Sequence, residues 1–292
     1  MTLSAPATSA NRIDAAFARL RAAGRCGFMA YLAAGDPDLE RTAGLVLALE
    51  RAGVDFVELG VPFSDPLADG IVNQLAAARA LRAGATLPGV LDCVRALRQQ
   101  TQVPLVLYTY MNPVYAYGFE RFERDAAGAG VDGLLLLDLP PDEAARNAEL
   151  HRDHADNGAM KMIRLIAPTT PPARLRDIAA AGEGFLYYVS REGVTGERQE
   201  LSASLAAQVA AIRAVSALPV AVGFGISTPE QAAAVARSAD AVVVGSAIVR
   251  QIGEHGADPD LPGVIERFVR PLVDAIHQLK KSAFPPRQSV AN

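Results

Sequence analysis

The sequence predicts a single-domain (β/α)8 barrel, or TIM barrel, and three observations support this fold class. Apolar runs of strand length alternate with amphipathic helical stretches, which favours a parallel sheet with crossover helices. About eight such runs occur in roughly 250 residues, the usual count and size for this barrel. Hydrophobic residues make up 50% of the 292 residues, so the chain can bury a large core.

Each predicted strand is a short apolar segment followed by a turn signal or a helix. The strands are expected at 27–33, 54–60, 104–110, 133–139, 160–167, 184–190, 219–223 and 241–245. The helices are expected at 38–52, 73–83, 88–100, 119–129, 141–157, 171–181, 201–216, 229–238 and 261–281. Two of them fall between strands two and three, so extra helices are inserted there. We expect a disordered leader at 1–12, the barrel at 13–281 and a loose tail at 282–292.

Two carboxylates stand where a barrel of this class carries its chemistry, at the C-terminal ends of the strands. Glu58 ends strand two on the same face as Val54 and Phe56, and a carboxylate on an apolar face is costly without a partner or a role. Asp69 follows in a Pro-rich loop. Such a pair can divide acid and base work. The alternative interpretation of Glu58 is a structural acid that caps a loop or pairs with an arginine.

Two glycine-rich turns, at 223–227 and 245–249, follow the last two predicted strands. Loops at these positions, with a short helix beginning at Ser246, form the phosphate site of many barrels. The segment 191–198 has glycines between charged flanks and suits a mobile lid. An ordinary surface loop is the alternative for that segment.

The distribution of lysines and histidines narrows the chemistry. The lysines are Lys161, Lys280 and Lys281, and none stands at the C-terminal end of a predicted strand, so a Schiff-base aldolase is disfavoured. The histidines are His151, His154, His255 and His277, on helices or in the late linker, so a metal enolate mechanism lacks ligands. Carboxylate acid–base catalysis without a cofactor or metal remains.

Composition excludes other classes of function. The net charge of -4 comes from interspersed acids and bases, which gives no basic stripe for nucleic acid and no membrane anchor. Cys26 and Cys93 lack metal-site spacing and fit a reducing compartment. No segment is long and apolar enough to span a bilayer, and no signal peptide is recognisable. We therefore expect a cytoplasmic protein that binds no nucleic acid and no membrane.

The chain resembles the tryptophan synthase alpha subunit family over residues 13–281. The resemblance rests on ELGVPFSDPLADG at 58–70, AAGDPD at 33–38, SREGVTG at 190–196, GFGIS at 223–227 and GSAIV at 245–249. The first of these is highly specific, because it contains both acids. The resemblance implies a (β/α)8 barrel that cleaves indole-3-glycerol phosphate to indole and glyceraldehyde 3-phosphate, a lyase step of tryptophan biosynthesis.

The resemblance also implies the role of individual residues. It makes Glu58 and Asp69 the catalytic acids. The substrate-binding residues that it implies are Tyr31, Tyr108, Tyr110, Tyr187 and Phe224 around the indole, and Thr195, Gly196, Gly225, Gly245 and Ser246 toward the phosphate. Its expected partner is a pyridoxal-phosphate-dependent beta subunit in an alpha2beta2 tetramer, docked near 64–69 and 191–198, with no cofactor on this chain.

Two departures from the family pattern leave alternatives open. The family often has proline where this chain has Ala30, and Pro-x-Ile-Gln where this chain has Ile71, Val72, Asn73 and Gln74. These positions lie near the substrate or the partner-facing rim. The alternatives are a free-standing indole-3-glycerol phosphate lyase of secondary metabolism and a non-catalytic phosphate-binding barrel that activates a partner. Retention of both acids disfavours the second.

Overall fold

The computed structural model describes residues 11–139, 160–190, 198–223 and 225–279. Its strands are β1 (Gly27–Ala33), β2 (Phe56–Gly60), β3 (Leu105–Thr109), β4 (Gly133–Leu136), β5 (Lys161–Ile166), β6 (Leu186–Val189), β7 (Val220–Gly223) and β8 (Ala241–Val244). The strands pair in chain order, all parallel, and β8 returns to β1 to close the barrel. The predicted (β/α)8 class is confirmed.

The helices of the described ranges cover the outside of the barrel and one of its ends. They are α1 (Arg12–Ala22), α2 (Leu39–Arg51), α3 (Ile71–Arg82), α4 (Leu87–Leu97), α5 (Met111–Tyr117), α6 (Phe119–Ala129), α7 (Pro172–Ala180), α8 (Arg198–Val215), α9 (Pro229–Ala236), α10 (Ser246–His255) and α11 (Leu261–His277). The extra helical segment predicted after strand two is present as α3 and α4. The helix predicted at 141–157 lies outside the described residues.

Several helices begin where the sequence supplies a capping side chain. Asp38 accepts a hydrogen bond from the backbone N–H of Arg41 at 2.7 Å and so starts α2. Thr228 and Gln231 form a reciprocal capping box at the start of α9. These bonds satisfy N–H groups that have no partner within the helix. No helix of the described ranges is long and apolar enough to cross a membrane.

Two apolar layers lie on the two faces of the strands. Inside the barrel, side chains including Met29, Phe56 and Val106 form one cluster. Between the strands and the helices, a larger cluster contains Phe28, Val57 and many other residues. Because both faces of each strand are buried, the strands appear in the sequence as continuous apolar runs.

Helix α1 closes the N-terminal end of the barrel, a feature that the sequence did not predict. Ile13, Phe17 and Leu20 are buried in the interior cluster, and the ring of Phe17 lies 4.5 Å from that of Phe56. The predicted leader extended to residue 12, whereas α1 begins at Arg12 and is capped by Asn11. Asn11 and Arg12 therefore belong to the ordered domain.

Candidate active site

A cavity of about 470 Å³ opens at the C-terminal end of the barrel. Its wall is built from strand ends, the first turn of α3 and the start of α10. The lining residues are Tyr31, Gly70, Ile71, Val72, Asn73, Tyr108, Tyr187, Val189, Ser190, Gly223, Gly225, Val243, Gly245 and Ser246. This is the end of the barrel at which such folds act, and the volume suits a small molecule.

Glu58 lies on β2 with Tyr31 beside it on β1 and Val106 beside it on β3. It is completely buried, and neither of its carboxyl oxygens has a hydrogen-bond partner among the described residues. Burial in this environment raises its pKa to about 8, because desolvation disfavours the charged form. Glu58 therefore holds a proton at neutral pH, which excludes the interpretation of an acid paired with an arginine.

Gly60, two residues beyond Glu58 on the same face of β2, makes room for the Tyr31 ring. A Cβ atom at Gly60 would lie 2.9 Å from the ring atoms Cε2 and Cζ of Tyr31. The Tyr31 ring in turn packs edge-on against Tyr108, with 5.0 Å between ring centroids. An aromatic wall thus stands above Glu58 and faces the cavity.

Asp69 is held at the end of its loop by three side chains. The hydroxyl of Tyr110 donates to Oδ2 at 2.8 Å, and the hydroxyl of Tyr108 donates to Oδ1 at 3.1 Å. The amide Nδ2 of Asn73 lies 3.4 Å from Oδ1. The backbone N–H of Ala68 donates to the Tyr110 hydroxyl at 3.0 Å, so Tyr110 fixes both the loop and the carboxylate.

Opposing effects act on the pKa of Asp69. Burial has the larger effect and raises this pKa above its usual value, although the hydrogen bonds from Tyr110, Asn73 and Tyr108 act to lower it. The charge of Asp69 also helps to raise the pKa of Tyr31 and Tyr108 after the larger effect of their own burial. The tyrosines therefore stay neutral and donate their hydroxyl hydrogens to the Asp69 carboxyl group.

Glycines form the opposite side of the cavity. Gly225 has a φ of +59°, a left-handed conformation that strains other residues. Helix α10 begins at Ser246 after Gly245, and no side chain caps its first turn. The N–H groups of that turn therefore lack side-chain partners at a cavity wall, the usual arrangement for binding phosphate.

Comparison with known proteins identifies the family. The family model described as tryptophan synthase alpha chain matches residues 17–268. The chain belongs to the tryptophan synthase alpha chain family. The tryptophan synthase alpha chain of Citrifermentans bemidjiense is 53% identical over 84% of this chain and 90% of the relative. That of Geobacter sulfurreducens is 50% identical over 91% of this chain and 99% of the relative.

Solved structures agree with the sequence comparison. The alpha subunit of tryptophan synthase from Legionella pneumophila superposes with a TM-score of 0.83 at 38% identity, covering 92% of this chain and 99% of that chain. An aminoacrylate-bound tryptophan synthase from M. tuberculosis gives a TM-score of 0.80 at 34% identity, over 92% of this chain and 100% of that chain. Membership in the family confirms the predicted lyase of tryptophan biosynthesis on a TIM barrel.

The structure brings most of the predicted site residues of this alpha chain family member together. Tyr31, Tyr108, Tyr187, Gly225, Gly245 and Ser246 line the cavity. Tyr110 contacts Asp69 but is not among the lining residues, and neither are Glu58 and Asp69 themselves. Thr195, Gly196 and Phe224 lie outside the described residues, as does most of the predicted lid at 191–198. Their roles stay predictions.

Sequence reasoning missed part of the cavity wall. Val189 and Val243 line the cavity, and both lie on the inward face of their strands. Because side chains alternate between the two faces of a strand, this placement can be predicted once one inward residue is known. Ile71, Val72 and Asn73, which depart from the family pattern, also line the cavity. In the described part of the chain, no three His, Cys, Asp or Glu side chains cluster to hold a metal.

Proposed function

We propose that Glu58 and Asp69 catalyse the retro-aldol cleavage of indole-3-glycerol phosphate to indole and glyceraldehyde 3-phosphate. The observation that carries the proposal is the protonated Glu58, which has no hydrogen-bond partner among the described residues and lies beside Tyr31. A second acid, Asp69, acts on the same tyrosines and receives hydrogen bonds that favour its ionised form. This difference between two carboxyl environments supports Glu58 as the acid and Asp69 as the charged partner. Membership in the alpha chain family identifies the substrate class.

Glu58 begins the cycle as an acid. Its proton moves to C3 of the indole ring, which places positive charge on the ring nitrogen. The resulting carboxylate takes the proton of the side-chain hydroxyl next to the bond that breaks. The hydroxyl-bearing carbon then becomes the carbonyl carbon of the aldehyde. The electrons of the bond between this carbon and C3 return to the ring, and neutral indole is released. Glu58 ends protonated, so the cycle balances without a cofactor.

Asp69 stabilises the charge that develops on the ring nitrogen. An ionised carboxylate can accept a hydrogen bond from the ring N–H. Its electrostatic stabilisation of the ring is stronger in a site with little water than in solution. The glycines and the start of α10 hold the phosphate and orient the rest of the substrate. Glu58 does not line the cavity, so we expect its side chain to change rotamer in order to reach C3.

The assay is indole release from indole-3-glycerol phosphate by the purified chain. Because Glu58 must start protonated, activity should fall as pH rises through about 8. Replacement Asp69→Asn should lower kcat by roughly 10²-fold, the scale of one lost electrostatic partner, with little change in substrate affinity. Weakened binding at unchanged kcat would instead make Asp69 a residue that only positions the substrate.

A beta subunit carrying pyridoxal phosphate, in an alpha2beta2 tetramer, is the partner that we propose. Indole is neutral and crosses membranes, so a covered cavity mouth prevents its loss. Leu67 is 92% exposed and Leu75 is 54% exposed, beside the loop and helix that hold Asp69. Ile71, between them in the chain, is 66% exposed, and this recurrence of exposed apolar residues supports a surface that another protein covers. Both cysteines are free thiols, which supports the predicted cytoplasmic location.

Replacement of Leu75 tests this partner. Leu75→Glu should abolish association with a purified beta subunit in sedimentation experiments and abolish the rate increase that the subunit produces, while basal activity stays unchanged. Leu81→Glu, farther along α3, is the matched control and should retain both the association and the rate increase. Full activity of the isolated wild-type chain without association would instead favour the free-standing lyase. The departures from the family pattern at 71–73 are the sequence argument for that alternative.

A further inference from the structure

We propose that Asn73 and Tyr108 are positioning residues that present Oδ1 of Asp69 to the substrate and keep this carboxylate ionised. The inference rests on the proposed function and deepens it, because it names the oxygen atom that accepts the ring N–H. It also gives a role to Asn73, at a position where the family often has isoleucine.

The two oxygens of Asp69 have different surroundings. Oδ2 is bonded by Tyr110 at 2.8 Å, and Tyr110 is not among the described residues that line the cavity. Oδ1 is bonded by Tyr108 at 3.1 Å and Asn73 at 3.4 Å, and both of these residues line the cavity. Oδ1 therefore lies toward the residues of the cavity wall. Because its contact with Asn73 is long for a hydrogen bond, Oδ1 retains capacity to accept a substrate N–H.

The chemistry of the pair fixes the orientation of the Asn73 amide. An ionised carboxylate only accepts hydrogen bonds, so the amide nitrogen must face Asp69 and the amide oxygen must point away. That oxygen is buried and has no hydrogen-bond partner in the described part of the chain. A leucine of similar size would avoid an unsatisfied acceptor. The amide is therefore costly to the fold, and its useful contact is the one with Asp69.

The groups that face Asp69 from neighbouring elements are neutral. They are Asn73 on α3, Tyr108 and Tyr110 at the end of β3, Tyr31 on β1 and Tyr187 on β6. Glu58, the other acid nearby, holds a proton at neutral pH. With no cation among these groups, hydrogen bonds are what oppose the effect of burial on the pKa of Asp69.

The test is the pH dependence of kcat/KM for indole-3-glycerol phosphate. Loss of a donor should raise the pKa of Asp69, so the acid limb of the profile should move to higher pH. We expect a shift of about half a unit to one unit for Asn73→Leu and a similar shift for Tyr108→Phe. Both variants should lower kcat more than they change KM. Val72→Ala, a replacement in the same wall without a hydrogen bond, should leave the acid limb in place.

Asp69→Asn separates failure of this inference from failure of the proposed function. If Asp69 carries the acid limb, this variant should lack it, and a retained limb would overturn the role proposed for Asp69. If Asp69→Asn removes the limb but neither Asn73→Leu nor Tyr108→Phe moves it, the positioning inference is overturned and the function stands. Thermal unfolding of each variant identifies one that fails to fold, and Tyr108→Phe, which keeps the ring, then decides alone.

Discussion

Asp132 and Glu58 are both buried carboxyl groups, and they lie at opposite ends of the barrel. Asp132 precedes β4 at the closed end and is 2% exposed, whereas Glu58 at the open end is 0% exposed. Asp132 receives the guanidinium groups of Arg12 at 2.8 Å and Arg98 at 2.5 Å, and the backbone N–H of Leu105 at 2.8 Å. Glu58 has no hydrogen-bond partner among the described residues.

The two ends differ in how the cost of removing a carboxylate from water is met. At Asp132 two cations and a backbone donor offset it, so the charge joins α1, α4 and the start of β3 into one network. At Glu58 the group instead keeps its proton, which is the form that the proposed mechanism requires. Burial alone therefore does not distinguish the proposed catalytic acid from a structural one, and the lack of a hydrogen-bond partner among the described residues does.

Replacement of Glu58 should give the largest effect. Glu58→Gln keeps the shape of the side chain but can neither give nor take the required proton, so kcat should fall by about 10⁴-fold, the upper range for acid–base catalysis. The steady-state rate of indole release measures this fall in kcat. The exposed Glu50→Gln is the matched control and should retain activity. Turnover close to that of the wild type would sink the assignment of Glu58.

Replacement of Asp132 should affect stability and not catalysis. Asp132→Asn leaves the buried Arg98 without its full counter-charge, so the free energy of unfolding should drop by about 3–5 kcal/mol, measured by urea unfolding. The kcat of the folded variant should match that of the wild type. Asp92→Asn removes an exposed pair with Arg95 and should change stability by less than about 1 kcal/mol. Equal effects of the two replacements would contradict the network.

The pH dependence of stability should distinguish the open end from the closed end. The pKa of Glu58 is about 8 in the folded chain against a usual value of 4.5, so the proton stabilises the fold at low pH. That contribution is lost as pH rises from about 4.5 to about 8. Glu58→Gln should therefore gain stability over the wild type across this window, by roughly 2–5 kcal/mol at its upper end. Urea unfolding at several pH values measures the difference, and a constant difference would refute the raised pKa.

The smallest expected effect concerns Gly225, one of the glycines in the cavity wall. An alanine at Gly225 would find open space for its Cβ, but the φ of +59° is strained for it and costs about 1–2 kcal/mol. Gly225→Ala should raise KM several-fold with kcat nearly unchanged. Gly84→Ala has similar strain, with a φ of +85° and open space, but lies away from the cavity. It should lower the unfolding midpoint without changing KM.

The sequence by itself determined the barrel and the region of the site. Alternating strand and helix signals predicted all eight strands, because the period of apolar residues is a local property of the chain. The positions of Glu58, Asp69, Gly225, Gly245 and Ser246 followed from strand ends and from the family motif. Their chemical types sufficed to predict acid–base catalysis next to a phosphate.

The tertiary structure alone decided which residues face inward and which atoms meet. Tyr187 and Tyr188 are adjacent, yet Tyr187 lies in the interior cluster and Tyr188 in the outer one. Both faces of a parallel barrel strand are apolar, so the sequence pattern does not distinguish them. The closure by α1, the lack of a partner for Glu58 and the contact of Asn73 with Asp69 depend on distances between separate elements. Such distances are set by packing in the folded chain and not by local sequence.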